Sequence, residues 1–190
     1  MDTTGKANVA EQFIASELLK IEVLVAKSFF DQNGADLLAM LSIDDFNRFC
    51  RVQCKYRSLV NSPSQDVAIP CKYVTDGFVL FVYIDTGEFG VRNLFCFFGI
   101  EVQNWAKSGD DEHVRSFSKT QLAGLESYRF SPGRAERIKS LIMEINQHRE
   151  WEIMRREYAA AAAHAHLQIG PAQFSATMTF TPPPAAVEEP

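Results

Sequence analysis

Three side chains suited to metal and phosphate chemistry, Asp36, Gln53 and Lys55, lie on neighbouring segments of the chain. The Asp36 carboxylate offers a hard anionic oxygen and the Gln53 amide a neutral one, and Mg²⁺ accepts both ligand types while it retains several waters. Lys55 is a compact positive charge that can hold a phosphate or help to deprotonate a water. A cation bound by such a set can polarise a phosphoryl oxygen and lower the pKa of an attacking water. The residue types therefore predict metal-assisted chemistry at a phosphate.

Residues 33–57, which carry these side chains, are predicted to form a β-hairpin. Extended segments at 33–41 and 48–57 flank a polar break at 44–47 that contains turn residues. In the second segment, alternation places Arg51, Gln53, Lys55 and Arg57 on one face and Cys50, Val52, Cys54 and Tyr56 on the other. We expect the polar face to line a wet cleft. We also expect Cys54 to point away from Gln53 and Lys55, because a slip of one residue would exchange the two faces.

The motif Gly34-x-Asp36 followed by Gln53-Cys54-Lys55 resembles the core of the PD-(D/E)XK nuclease superfamily, and the resemblance covers residues 8–100. Within that superfamily, the Gln-x-Lys variant is similar to Mrr-type restriction endonucleases, in which Gln replaces the usual Glu. The same stretch of the second strand is similar to relatives of Holliday junction resolvases and homing endonucleases. Two departures from the pattern are the lack of a Pro before Asp36 and the Gln at position 53.

The resemblance implies a restriction-endonuclease-like α/β fold, in which a mixed β-sheet is flanked by helices, and a Mg²⁺-dependent (or Mn²⁺-dependent) endodeoxyribonuclease. Asp36 would bind the metal, and the Gln53 oxygen and the backbone carbonyl of Cys54 would complete the protein ligands. Lys55 would position or activate the attacking water. DNA is the partner that this activity implies.

Further site residues follow from the same resemblance. The first helix of the family often supplies a Glu to the metal cluster; by position Glu11 is the better match and Glu17 the second choice. The alternative for Glu11 is a helix cap or a solvated charge. Arg51 or Arg57 would hold a flanking phosphate of the DNA.

A binding or scaffolding protein that keeps the nuclease-like fold without cleavage is the alternative hypothesis. With a net charge of −5, the chain lacks the strongly basic composition typical of DNA-binding proteins. Gln53, in place of the usual Glu, removes one negative charge from the predicted metal site. A long C-terminal helix with an apolar stripe would suit a homodimer or docking to a partner. Convergence of the Asp36, Gln53 and Lys55 side chains would favour catalysis, whereas a buried Gln53 bonded to backbone would favour the alternative.

Composition and terminal patterns set the remaining expectations. With 190 residues, 46% of them hydrophobic, and 15 phenylalanines, the chain has enough apolar side chains for one buried core. The absence of a signal-peptide pattern and of a long apolar run predicts a cytoplasmic protein without a membrane span. Cys50, Cys54, Cys71 and Cys96 are expected to be reduced thiols, mostly in the core.

The periodicity of the chain predicts alternating helices and strands. Asn8 is the expected N-cap of the first helix, and Ser131 with Pro132 is the expected start of a long C-terminal helix. The expected domains are a nuclease-like domain at 1–130, a C-terminal helix at 131–168 and a disordered Pro/Ala-rich tail at 169–190. The expected elements are a helix at 8–20, strands at 21–30, 78–84 and 94–98, helical turns at 101–107, an edge strand at 114–118 and one helix at 135–163.

Overall fold

The computed structural model describes residues 3–28, 34–43, 46–109 and 111–168. The helices are α1 (Thr3–Lys20), α2 (Gly99–Val102), α3 (Pro132–Glu144) and α4 (Gln147–Gln168), with 3-10 turns at Cys71–Tyr73 and Leu122–Tyr128. The strands are β1 (Leu24–Lys27), β2 (Leu37–Ile43), β3 (Phe46–Ser58), β4 (Ser64–Pro70), β5 (Phe78–Asp85), β6 (Asn93–Phe98), β7 (Ala106–Ser108) and β8 (Glu112–Ser118).

The main sheet has five strands in the order β1-β2-β3-β5-β6. Strands β3 and β5 run parallel, and the other neighbours are antiparallel. The hairpin predicted at 33–57 is confirmed as β2 and β3, and the apolar run at 78–84 is confirmed as a buried inner strand. The fold combines a helix, a three-stranded meander and two further strands, so the predicted α/β fold with a mixed β-sheet flanked by helices is confirmed.

A second sheet, with the order β4-β8-β7, was not predicted. The segment at 114–118 was expected to be an edge strand, but β8 is paired on both sides. The helical turns expected at 101–107 end at Val102, and Ala106 begins β7. On β8, the Arg115 guanidinium lies over the rings of Trp105 and Tyr128.

Two apolar cores lie on opposite faces of the main sheet. On one face, helices α1 and α3 bury Ile14, Leu18 and Ile138 against strand residues such as Val52 and Phe81. On the other face, the second sheet covers a core that includes the large side chains of Phe78, Leu80, Phe95, Phe97, Trp105 and Phe117. Each fully buried side chain of this kind stabilises the fold by about 1.5–3 kcal/mol, so β5, which contributes residues to both cores, is held from both sides.

Helix boundaries differ from the expectation at several points. Helix α1 begins at Thr3, so Asn8 lies inside the helix and is not its N-cap. Ser131 does cap α3, and its Oγ accepts a hydrogen bond from the Arg134 N–H at 3.4 Å. The helix expected at 135–163 is divided at Ile145, which adopts an extended conformation and turns into the core. The tail at 169–190 and residues 29–33, which include the end of the strand expected at 21–30, lie outside the described residues.

The four cysteines form no disulfide with one another, and Cys50 and Cys96 are buried in the core. Burial raises the pKa of the Cys50 thiol to about 12.

In the part of the chain that the structure describes, no helix has the length and apolar character needed to cross a membrane.

A buried ion pair joins β3 to α4. Arg51 is fully buried, and its Nε donates to Glu150 Oε2 at 2.9 Å, while its Nη2 donates to Thr75 Oγ1 at 2.6 Å. Gly77 leaves room for the carboxylate, since a Cβ there would lie 2.5 Å from Glu150 Cδ. The prediction that Arg51 holds a phosphate is therefore wrong, because its side chain is fully buried and its Nε is paired with Glu150. Glu150 is equally enclosed, with only 2% of its surface exposed.

We expect Glu150→Ala to destabilise the protein by about 3–5 kcal/mol, because it leaves the Arg51 charge buried without its partner. Glu152→Ala is the matched control on the same helix. Glu152 pairs with the exposed Arg155 at 3.0 Å, so its loss should change stability by less than about 1 kcal/mol. Urea denaturation of both variants measures the difference. Equal midpoints for the two variants would contradict the structural role of the buried pair.

Candidate functional site

The main sheet opens between β2 and β3 at the predicted site. Leu37, the first residue of β2, pairs with Val52. Strand β3 continues to Ser58, and beyond Val52 it is paired with β5 alone. A fork between two strands leaves backbone groups without ladder partners. Asp36, Gln53, Cys54 and Lys55 lie at this fork.

Gly34 and the backbone of Asp36 fix the geometry at the mouth of the fork. Gly34 has φ +73°, and a Cβ on it would lie 2.5 Å from the Tyr73 ring, so both conformation and space require glycine. The Asp36 N–H donates to the Val52 carbonyl at 2.9 Å, and the Ser28 N–H donates to the Asp36 carbonyl at 3.0 Å. Asp36 is therefore held between β1 and β3 before its side chain is considered.

The Asp36 carboxylate completes the ladder where β2 has ended. Its Oδ2 accepts a hydrogen bond from the Cys54 N–H at 2.5 Å. A backbone donor bonded to a carboxylate is a strong, charge-assisted contact. The contact places the carboxylate against the peptide bond between Gln53 and Cys54, so the two halves of the sequence motif meet in space.

The alternation expected along β3 is confirmed by its pairing with β5. Gln53 and Lys55 pair with Leu80 and Val82, which belong to the core beneath the second sheet, whereas Cys54 packs against the opposite core. Neighbouring residues in a parallel pair point to the same face. Lys55 is half-buried, and the Gln53 side chain is 6% exposed.

A non-catalytic protein was expected to have a buried Gln53 that is bonded to backbone, and the Gln53 amide oxygen meets only the first of these two conditions. It is buried, yet within the described residues no hydrogen bond reaches its Oε1. A buried acceptor without a partner costs about 1–3 kcal/mol. An oxygen in that state fits a ligand for a cation, because coordination would supply the missing partner.

Charged groups of both signs surround the Cys54 thiol. Its pKa is raised well above the ordinary value, first by burial and then by the negative charges of Asp36 and Glu11, while the positive charges of Lys55 and Lys27 oppose the shift. Two carboxylates and two ammonium groups therefore lie within electrostatic reach of one sulfur atom. A thiol with a raised pKa stays protonated at neutral pH and does not act as a nucleophile.

The two glutamates of the first helix lie in different surroundings. Glu11 Oε2 is 3.1 Å from the Lys27 Nζ at the end of β1, beside the fork. Glu17 pairs instead with Lys20 at 2.7 Å and with Arg92 at 3.8 Å. The geometry favours Glu11 over Glu17 as the additional acidic residue. Lys27 was missed by the sequence analysis, because its place beside the fork depends on the pairing of β1 with β2.

Arg57 also has structural contacts. Its Nε donates to the Asp66 carbonyl at 2.7 Å, which ties β3 to β4, and a terminal nitrogen donates to the Tyr56 carbonyl at 2.8 Å. Burial lowers the pKa of the Arg57 guanidinium from its ordinary value. Its assignment to a DNA phosphate stays a prediction.

The predicted metal ligands are oxygen atoms of mixed type. Among the described residues, no group of three or more His, Cys, Asp and Glu side chains is arranged to hold a metal ion. The predicted set has a different composition, with the Asp36 carboxylate, the Gln53 amide and the Cys54 carbonyl. The partnerless Gln53 oxygen and the adjacent carboxylate are the observations that fit a small divalent cation.

Two solved structures are similar to this chain. The bacterial homing endonuclease I-Ssp6803I matches with a TM-score of 0.49 and 16% identity, over 73% of this chain and 93% of that one. The Holliday junction resolvase Hjc of Archaeoglobus fulgidus matches with a TM-score of 0.41 and 11% identity, over 69% of this chain and 96% of that one. No protein-family model and no curated protein matches the sequence. At these identities the roles of individual residues depend on this chain's own geometry.

We expect Gly34→Ala to destabilise the protein by about 2–4 kcal/mol, since it combines a left-handed backbone with a clash against Tyr73. Gly109→Ala is the matched control. Gly109 has φ +64°, but a Cβ on it would meet nothing within 4 Å, so only the conformational cost of about 1–2 kcal/mol remains. Thermal and urea unfolding of both variants isolates the clash. Equal destabilisation would mean that the Tyr73 contact does not hold the turn before Asp36.

Proposed function

We propose that this protein is a metal-dependent nuclease that hydrolyses phosphodiester bonds in DNA. The observation that carries the proposal is the contact between the Asp36 carboxylate and the Cys54 N–H, together with a buried Gln53 oxygen that has no hydrogen-bond partner among the described residues. A metal site at the fork would combine an anionic and a neutral oxygen ligand. The mixed β-sheet flanked by helices, which the nuclease resemblance implies, supports this proposal.

Each residue at the fork has a distinct role in this proposal. Asp36 and the Gln53 oxygen would hold Mg²⁺ or Mn²⁺, with the Cys54 carbonyl as a third ligand and Glu11 as an additional acid. Such a cation polarises a phosphoryl oxygen and lowers the pKa of an attacking water. Lys55 orients that water or neutralises the phosphate, since its ammonium cannot bind the cation itself.

A non-catalytic binding or scaffolding protein that self-associates or docks a partner is the second candidate, and one observation favours it. Gln53 leaves Asp36 as the one carboxylate of the motif, and a site with fewer negative charges binds a divalent cation more weakly. The net charge of −5 adds no attraction for DNA over the whole molecule. The two candidates differ in cleavage, so activity measurements separate them.

We expect the purified protein to cut plasmid or linear DNA with Mg²⁺ or Mn²⁺ and to be inactive in EDTA. Asp36→Asn and Lys55→Ala should each lower the rate by roughly 100-fold or more. Asp36→Asn retains an oxygen for the Cys54 N–H, so its effect reports the lost charge rather than a lost contact.

Asp76→Asn and Lys20→Ala are the matched controls, since both side chains lie in exposed ion pairs away from the fork. They should cut at the parental rate. Cleavage by the Asp36 and Lys55 variants at the parental rate would assign the activity to another site or to a contaminant. Folded protein without any cleavage would favour the scaffolding role.

Metal affinity tests the ligand set without any requirement for activity. Gln53→Glu adds a negative charge beside Asp36 and should tighten Mn²⁺ binding at least about tenfold in calorimetric titrations. Gln53→Leu removes the partnerless oxygen and should abolish the rise in melting temperature that Mn²⁺ produces. If Mn²⁺ stabilises parent and Gln53→Leu protein equally, Gln53 is not a ligand.

A further inference from the structure

A cavity of about 430 Å³ lies next to the fork, between the first half of α1 and the final residues of β3 and β5. Its volume falls within the range of small-ligand sites in proteins. The side chains that give it chemical character are Lys6, Phe13, Tyr56, Tyr83, Asp85 and Arg92. None of them belongs to the proposed metal and phosphate site.

Aromatic rings form the floor of this cavity. Tyr56 and Tyr83 stack on each other with ring centroids 6.1 Å apart and an interplanar angle of 19°, and Phe13 meets Tyr83 edge-on at 5.4 Å. All three rings are half-buried, so part of each remains open to a ligand. Flat ring surfaces of this kind accept a nucleobase by stacking, whatever the base.

Two cations flank the rings. The Lys6 Nζ lies 5.8 Å from the centroid of Tyr56, and the Arg92 guanidinium lies 5.1 Å from that of Phe13. Lys6 is half-buried, while the Arg92 side chain is 65% exposed. Rings with a cation on either side suit a ligand that combines a flat base with negative charge.

The Asp85 carboxylate holds the Tyr56 ring in place. The Tyr56 hydroxyl donates to Asp85 Oδ2 at 2.7 Å, and the Gly87 N–H donates to Oδ1 at 2.9 Å. These hydrogen bonds lower the pKa of the Asp85 carboxyl. The carboxylate is thus occupied by the protein and helps to fix the aromatic surface.

The cavity adjoins the proposed cleavage site. Tyr56 follows Cys54 by two residues on β3, a distance of about 7 Å along a strand. On α1, Ala10 lines the cavity and the next residue is Glu11. The cavity lies on the face of β3 that carries Cys54 and Tyr56, whereas Gln53 and Lys55 lie on the other face. A DNA strand would therefore reach the cavity around the fork, where β3 beyond Val52 is not paired with β2. The separation is on the order of one nucleotide along an extended strand.

We infer that this cavity binds an unpaired nucleotide of the DNA strand, next to the phosphodiester that is cut. The base stacks on Tyr83 and Tyr56, and Lys6 and Arg92 face its phosphates. The inference rests on the proposed nuclease function and adds the substrate class, which is DNA with an unpaired or extruded base beside the cleavage position. A base that is already unpaired avoids the energy needed to unstack it, so such DNA is preferred over a continuous duplex.

The test compares a labelled duplex with the same duplex carrying a one-nucleotide bulge, by fluorescence anisotropy with Mg²⁺. All proteins carry Lys55→Ala to prevent cleavage; Lys55 points to the opposite face of β3 from Tyr56. We expect tighter binding of the bulged DNA. Tyr83→Leu, which removes the stacking ring, should lower that affinity roughly 5- to 100-fold and leave duplex affinity unchanged.

Two further variants serve as controls. Tyr83→Phe keeps the ring and should keep the preference, since no hydrogen bond of the Tyr83 hydroxyl occurs within the described residues. Trp151→Leu removes an exposed aromatic ring that packs on Phe49, seven residues from Tyr56 along β3, and should also keep it. Melting temperatures of all variants establish that each one is folded.

The outcomes separate this inference from the proposed function. Protein that cuts DNA but binds bulged and continuous duplexes equally, or whose Tyr83→Leu variant keeps the preference, overturns the inference alone. Protein that neither binds nor cuts any DNA overturns both. A free deoxynucleoside monophosphate is added as competitor, and tight binding of it would assign the cavity to a free nucleotide instead of DNA.

Discussion

The buried pair of Arg51 and Glu150 is the interaction on which the position of β3 depends. It joins the middle of the strand that carries the candidate site to a helix 99 residues later in the chain. A charge pair removed from water is stable only if its hydrogen bonds are well made, and Thr75 and Gly77 supply a partner and the necessary space. Because alternate side chains of β3 share one face, fixing Arg51 also fixes the direction of Gln53 and Lys55.

The start of α4 reinforces this attachment. The Gln147 side chain accepts a hydrogen bond from the Phe49 N–H at 3.1 Å and donates to the Phe49 carbonyl at 3.2 Å. Strand β5 begins opposite Arg51, so at Phe49 an amide side chain takes the place of the missing strand. The first half of β3 is therefore closed by α4. The second half is left to the fork and the cavity, where a ligand can approach.

The polar face of β3 thus carries an enclosed structural residue, Arg51, and candidate site residues, and the sequence alone does not distinguish them. Arg51, Gln53, Lys55 and Arg57 alternate in register, and the alternation correctly predicts that they share a face. It does not predict that Arg51 is enclosed, because its partner Glu150 lies in a distant helix. A charged side chain reveals its role only when the groups opposite it are known.

Local patterns were sufficient wherever local forces decide the structure. The hairpin, the inner strand β5 and the Ser131 cap follow from alternation, apolar runs and capping chemistry. The second sheet was missed, since β4 and β8 come together across more than forty residues of intervening chain. The motif residues Asp36, Gln53 and Cys54 are brought together at the fork, whereas Lys27 joins them only through the pairing of β1 with β2.

Glutamine at position 53 is consistent with the burial of that side chain. A carboxylate 6% exposed, beside Asp36 and without a cation, would face both desolvation and like-charge repulsion. A neutral amide avoids both the desolvation of a charge and the repulsion from Asp36. It leaves one oxygen without a partner among the described residues, at an energetic cost smaller than that of a buried charge. The fork can therefore remain folded without a metal and still offer an oxygen to one. In the proposed metal site, the same neutral side chain would attract a cation less strongly than a carboxylate would.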